Sequence, residues 1–177
     1  MTRDLWEDNM DKEKTAEEVL NVLKMQEEIL QFTHFSNDDA WELGKLMIAE
    51  AKKRDLAIAV MIKRSNGLPV FIHMMDGVTL DNLDWLNRKF NTVMRTEVST
   101  LEFYMYLQNS GHTMADKFMD EKTYACAGGG FPIRVEDSGV IGAVIVSGLN
   151  HVQDHDFIIR CLSRYLHMDE VPRLKKI

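Results

Sequence analysis

The sequence predicts an α+β domain, with an antiparallel sheet covered by helices and an extra helix at the N-terminal end. Apolar residues recur at helical spacing around two β-rich hairpin runs, and an amphipathic segment closes the chain. No glycine motif joins a first strand to a helix, which disfavours the parallel dinucleotide-binding sheet. The first helical segment runs from Thr15 to about Gln31, with Val19, Val22, Leu23, Met25, Ile29 and Leu30 on a broad apolar face. It defines residues 1–36 as an extension carrying an amphipathic helix, ahead of a domain over 37–177. The next helix starts at Asn37, a candidate N-cap followed by two aspartates, and spaces Ala40, Leu43, Gly44, Met47, Ile48 and Ala51 by threes and fours. A glycine inside a helix costs about 1 kcal/mol relative to alanine, so Gly44 implies that a neighbouring element comes close.

"LAIAVMIKRSNGLPVFIHMM" reads as two strands around Ser65-Asn66-Gly67, since Asn-Gly supplies the positive φ angles of a tight hairpin. "TLDNLDWLNRKFNTVMR" returns to helical spacing, with Leu83, Leu86, Phe90 and Val93 on one side and Arg88, Lys89 and Arg95 projecting elsewhere. Ser99 and Glu102 have the form of a capping box opening a helix through Tyr106, after which "NSGHT" breaks the chain. "FPIRV" and "VIGAVIVSG" form a second hairpin across Glu136-Asp137-Ser138-Gly139. The last helix runs from about Asp154 to His167 and buries Ile158, Cys161, Leu162 and Tyr165.

With 177 residues, one core is expected, and 45% hydrophobic with 28% charged residues is the composition of a soluble protein. No apolar run approaches the roughly 20 residues that span a bilayer, and the charged, acidic N-terminus fits neither a secretory signal nor a transit peptide. A cytoplasmic location is expected. Cys126 and Cys161 match no zinc or C-x-x-C spacing and read as reduced core side chains; the twelve methionines read as gap-fillers. A net charge of −7 argues against nucleic acid, since "RLKK" from Arg173 to Lys176 is the densest basic cluster and reads as a solvated tail.

The chain has no G-x-S-x-G, Walker loop or H-E-x-x-H. Three places carry candidate chemistry. Asp154-His155 lies where strand gives way to helix, so Asp154 caps the helix, or a neutral His155 imidazole ligates haem iron or shuttles protons. His151 stands four residues earlier, but Asn150 to Gln153 reads as loop, which disfavours a metal-binding pair. Arg88 and Lys89, near Asp81, Asn82 and Asp84, form either a solvated ion-paired face or a grip on a carboxylate, with Trp85 as a pocket wall. Gly128, Gly129 and Gly130 bring the main chain close either to a ligand or to another subunit. His34, His112 and His167 show no partner pattern, and His73, on a hairpin strand, is the remaining histidine placed to face a pocket.

Four blocks in order, "DDAWELGKLMIAEAKKRDLAIAVMI", "DNLDWLNRKFNTVMR", "YACAGGGFPI" and "VSGLNHVQDH", resemble an uncharacterised bacterial and fungal family of the haem-degrading superfamily, alongside HbpS-like, GlcG-like and PduO C-terminal-like domains. The match covers roughly Asn37 to Leu166. The resemblance implies a profilin-like fold with a central sheet of about five strands, assembly into dimers or rings of dimers, and haem or a related anionic small molecule as ligand. Its alternatives are a ligand-free assembly module, or an enzyme acting on haem or a small carboxylate. The residues it points to are Asp81, Asn82, Trp85, Arg88 and Lys89, then Gly128, Gly129, Phe131 and Pro132, then Ser147, Gly148, Asp154 and His155. Where the family commonly has a histidine before the glycine pair, this chain has Ala127.

Overall fold

The computed structural model describes residues 15–174; the charged N-terminal stretch and Lys175 and Lys176 of the basic tail lie outside the described residues. In chain order the elements are α1 (Ala16–Ile29), α2 (Asn37–Lys53), β1 (Ala59–Arg64), β2 (Pro69–Met74), α3 (Leu80–Thr96), α4 (Thr100–Ser110), β3 (Gly130–Val135), β4 (Gly139–Ser147) and α5 (His151–Tyr165), with one 3-10 turn at Ala115–Lys117. The strands form an antiparallel sheet in the order β2-β1-β4-β3. The α+β class is therefore observed, but with four strands among the described residues rather than about five. The nearest approach to a fifth is Phe32, whose amide donates to Arg134 O and whose carbonyl accepts from Glu136 N, each at 2.8 Å. Ser36 already caps α2 four residues later, so too little chain remains there to build a strand.

Both faces of the sheet are covered. Alternation along β1 sends Ala59 and Met61 toward Leu86, Phe90 and Val93 of α3, while Val60 and Ile62 pack with Leu43 and Met47 of α2 and Ile158 and Leu162 of α5. The single expected core thus consists of two layers divided by the sheet. A further cluster joins Val19, Leu20 and Leu23 of α1 to Leu101 and Met105 of α4. Gly44 earns its place in α2 because the Phe71 ring of β2 lies where its Cβ would stand. Among the described residues, no helix is long and apolar enough to cross a membrane.

Several boundaries differ from the sequence expectation in instructive ways. Ser36, not Asn37, caps α2: its hydroxyl accepts from Asp39 N, and the Asp39 carboxylate accepts from Ser36 N at 2.7 Å. In the β1–β2 turn only Gly67 takes a positive φ, +92°, and the register shifts between Ile62 and Lys63. Ser99 completes half of its box: its hydroxyl accepts from Glu102 N, while its own N–H donates at 2.6 Å to Glu27 of α1. A sequence pattern cannot reveal that a carboxylate from a distant helix will take that donor.

Candidate functional site

The N-terminal turns of α3 and α5 converge beside the end of β4 and enclose a cavity of about 330 Å³. Its walls come from Asp81, Asn82, Trp85 and Lys89 of α3, from Ser147, Gly148 and Leu149, and from Ala127, His151 and Asp154. Asn82 is held in place by the helix start: its Oδ1 accepts from Thr79 N at 2.9 Å, leaving Nδ2 to donate to Ser147 Oγ at 3.2 Å. The α3 cap therefore positions a hydroxyl on β4.

Lys89 does not project into solvent with Arg88. It is 2% exposed, and its ammonium donates to Val146 O at 2.8 Å and to Asp154 Oδ2 at 3.0 Å. Asp154 Oδ1 in turn accepts from Leu149 N at 3.0 Å, so one carboxylate joins α3, the loop after β4 and α5. Burial pulls the Lys89 pKa down and pushes the Asp154 pKa up, each opposed by attraction to the other. The pair is tied to the floor of the cavity.

The helix begins three residues earlier than expected. Asn150 is its N-cap, accepting from Gln153 N at 3.0 Å, so Asp154 is no cap and His151 lies on helix rather than loop. His151 and His155 then share α5 yet do not share partners. His151 lines the cavity, with Nδ1 accepting from Gly128 N at 3.2 Å, which places the neutral ring's proton on Nε2. Burial, then the Lys89 charge, lowers the His151 pKa. His155 is 1% exposed and outside the cavity: Nε2 meets Gln26 Oε1 at 2.8 Å, Nδ1 has no protein partner, and burial lowers its pKa to about 3. Residues four apart share a helix face, so with α5 starting at His151 the first histidine stands at the cavity while His155 lies one turn further along, against Gln26 of α1.

The glycine run serves the protein's own packing. A Cβ on Gly128 would collide with His151 O, and one on Gly129 would sit 2.5 Å from Lys89 Nζ and from Val146 O. Gly129 also has φ +114°, a conformation that side chains disfavour. Gly130 N donates to Thr100 Oγ1 at 2.9 Å. These main-chain groups are spent within the chain. Arg88 is engaged too, stacked 4.1 Å from the Trp85 ring centroid and paired with Asp84 at 2.9 Å, beside the cavity rather than on its wall. Phe131 is buried in the layer under α2 and α5, and Pro132 pairs with Ala143 in the edge strand β3, a position where a missing N–H is tolerated.

Ala127, Leu149 and His151 are the wall residues that the sequence reading did not place there. Asn150-x-x-Gln153, a capping-type spacing, was the signal that would have started α5 at His151. His73 lies exposed on β2, in a separate groove of about 500 Å³ with Trp41, Lys45, Phe71 and Ile72.

A four-stranded antiparallel sheet between helical layers, with a polar cavity at two helix N-termini, places the chain among the α+β proteins related to HbpS. The chain belongs to the family "Haem degrading protein HbpS-like", which it matches over residues 35–163. A UPF0303 protein of Paraburkholderia phymatum is 42% identical over 151 residues, covering 85% of this chain and 91% of that one. Among solved structures, the Ybr137w protein is similar with a TM-score of 0.77 and 27% identity, covering 85% of this chain and 89% of that one. A PduOC:Heme complex shares the fold with a TM-score of 0.62 and 20% identity over 73% of this chain and 93% of that one.

Proposed function

We propose that the chain is a cytoplasmic, self-assembling small-molecule-binding protein whose ligand, haem or a related anionic molecule, sits against the cavity between α3 and α5. The observation that carries this reading is that one cavity gathers the His151 imidazole, the Lys89 ammonium, the Ser147 hydroxyl and two helix N-termini. Asp154 neutralises Lys89 locally and Asp81 sets a carboxylate against the start of α3, so an anionic group would be favoured chiefly by the N-terminus of α5 and the His151 Nε2–H.

Haem is favoured by the family and by the complex named for a protein of the same fold. Trp85, Leu149 and Ala127 give apolar cover for a macrocycle edge, and the His151 Nε2–H, set by the bond from Gly128 N to Nδ1, would donate to a propionate or another ligand oxygen. To ligate iron through Nε2, His151 would have to release Gly128 N and carry its proton on Nδ1. With Ala127 on the wall, the chain offers one imidazole there. A volume of about 330 Å³ lies at the small end of the roughly 300–1,000 Å³ usual for ligand pockets. A macrocycle would be gripped at one edge and extend past the mouth, whereas a small carboxylate would be enclosed.

Titration with hemin followed by absorbance is expected to give a shifted Soret band that is lost in His151→Ala and kept in His155→Ala. An unshifted band in the unaltered protein removes haem. A thermal-shift series with small carboxylates then decides the anionic-ligand reading, because a ligand at 100 times its Kd stabilises by about 2.7 kcal/mol. No stabilisation by any of them removes it.

A second reading, assembly without a ligand, is favoured by the apolar strip along the open edge of the sheet, where Trp41 is 55%, Leu68 52% and Ile72 48% exposed. The profilin-like arrangement and dimer-based rings expected of the family belong with it. Ile72→Lys is expected to lower the sedimentation coefficient; an unaltered protein that sediments as a monomer excludes assembly through this edge.

A further inference from the structure

The Lys89–Asp154 pair is costly to build. Removing two charges from water is often no better than packing apolar side chains of similar size, so such a pair is weak evidence of stabilisation alone. This one also requires a glycine at position 129, at φ +114°, because a Cβ there would stand 2.5 Å from Nζ. It is placed at the wall of a cavity rather than inside either sheet layer. The ammonium donates two hydrogen bonds, to Val146 O and Asp154 Oδ2, and Ser147 and His151 share the same cavity wall. Access to Nζ from solvent is narrow, the Lys89 side chain being 3% exposed.

From this geometry we infer that Lys89 is a nucleophile that captures a small aldehyde or α-oxo acid as an imine, with Asp154 as its proton acceptor and donor. The inference rests on the reading of this cavity as a ligand site. Lys89 passes one proton to Asp154 Oδ2 across 3.0 Å, which exposes the nitrogen lone pair. Burial favours that transfer, since both partners are drawn toward their neutral forms. The amine attacks the carbonyl carbon, a C–N bond forms as the C=O π bond breaks, and proton transfer from nitrogen to oxygen gives a neutral carbinolamine. Asp154 then protonates the hydroxyl, one water leaves, and a protonated C=N bond remains beside the Asp154 carboxylate. No electrons are gained or lost, and no further reactant is needed. The roughly 330 Å³ enclosure restricts the carbonyl compound to a few carbons.

Incubation with glyoxylate and cyanoborohydride, followed by peptide mapping, tests this. The reduced adduct is expected at Lys89 at a rate about tenfold above that at exposed lysines such as Lys45, a difference of 1.36 kcal/mol in barrier. Lys89→Arg should abolish the adduct there, and Asp154→Asn should slow it. The map of the unaltered protein reads the position without any substitution, so a variant that fails to fold does not obscure the result. Modification of exposed lysines with Lys89 untouched overturns the inference and leaves the pair a structural tie. Glycolate, which has the carboxylate but no carbonyl to attack, separates the two readings by NMR titration. Glycolate binding without a Lys89 adduct removes the covalent step alone, and absence of both removes the ligand site with it.

Discussion

Lys89→Met is expected to destabilise the fold by about 3–5 kcal/mol at pH 8, the usual result of leaving one partner of a buried ion pair uncompensated. Asp154 would keep its bond from Leu149 N but lose the ammonium 3.0 Å away, while remaining 2% exposed. The loss should shrink as pH falls. Without Lys89, burial raises the carboxyl's folded pKa further above its unfolded value, so the folded state holds a proton that the unfolded state releases. Such a group's contribution is full below the unfolded pKa and declines as pH rises through the folded one. Urea unfolding of Lys89→Met, Asp154→Asn and the double variant at pH 5 and pH 8 measures this. The double variant should be less destabilised than the sum of the singles. Additive losses, or a single-variant loss under about 1 kcal/mol at both pH values, as for an exposed pair, would show that the pair does not tie α3 to α5.

Glu27→Gln should stabilise the protein at alkaline pH and flatten its pH dependence. Burial first, and the neighbouring Glu102 second, raise the Glu27 pKa from 4.5 to about 8, while Ser99 N donates to its Oε1 at 2.6 Å. Because the folded pKa lies above the unfolded one, the stabilising contribution is complete below about pH 4.5 and lost as pH rises through about 8. Glutamine keeps an acceptor for Ser99 N and supplies a donor for Glu102 without a charge to lose. Between pH 5 and 8.5 the unaltered protein should lose roughly 2–4 kcal/mol that the variant keeps, or on the order of 5–10 °C in Tm for a chain of this size. Parallel melting curves for the two proteins over that range would refute the assignment. Since Glu27 is on α1 and its partners open α4, the same experiment reads how firmly the N-terminal helix is docked.

The two hairpins, the amphipathic helices and the approach of something to Gly44 were legible because they depend on local period and turn chemistry. The candidate site was legible only in part. Asp81, Asn82, Trp85, Lys89, Ser147, Gly148 and Asp154 meet at one cavity, whereas Arg88, Gly128, Gly129, Phe131, Pro132 and His155 do not line it. Arg88 is occupied by Asp84 and Trp85, next to it on its own helix, a pairing visible in principle at i,i+4 spacing. The glycine run, whose pattern is compatible with approach to a ligand or to a subunit, meets Lys89, His151 and Thr100 of its own chain.

By itself the sequence determined the class of fold, the order of its elements and the family, since each follows from patterns that span a few adjacent turns or strands. Tertiary structure decided that Lys89 is buried against Asp154, that Glu27 takes the Ser99 amide, and that His151 rather than His155 lines the cavity. Those outcomes depend on which distant group arrives within 3 Å of a buried donor or charge, and desolvation makes that arrival decisive without leaving a local trace.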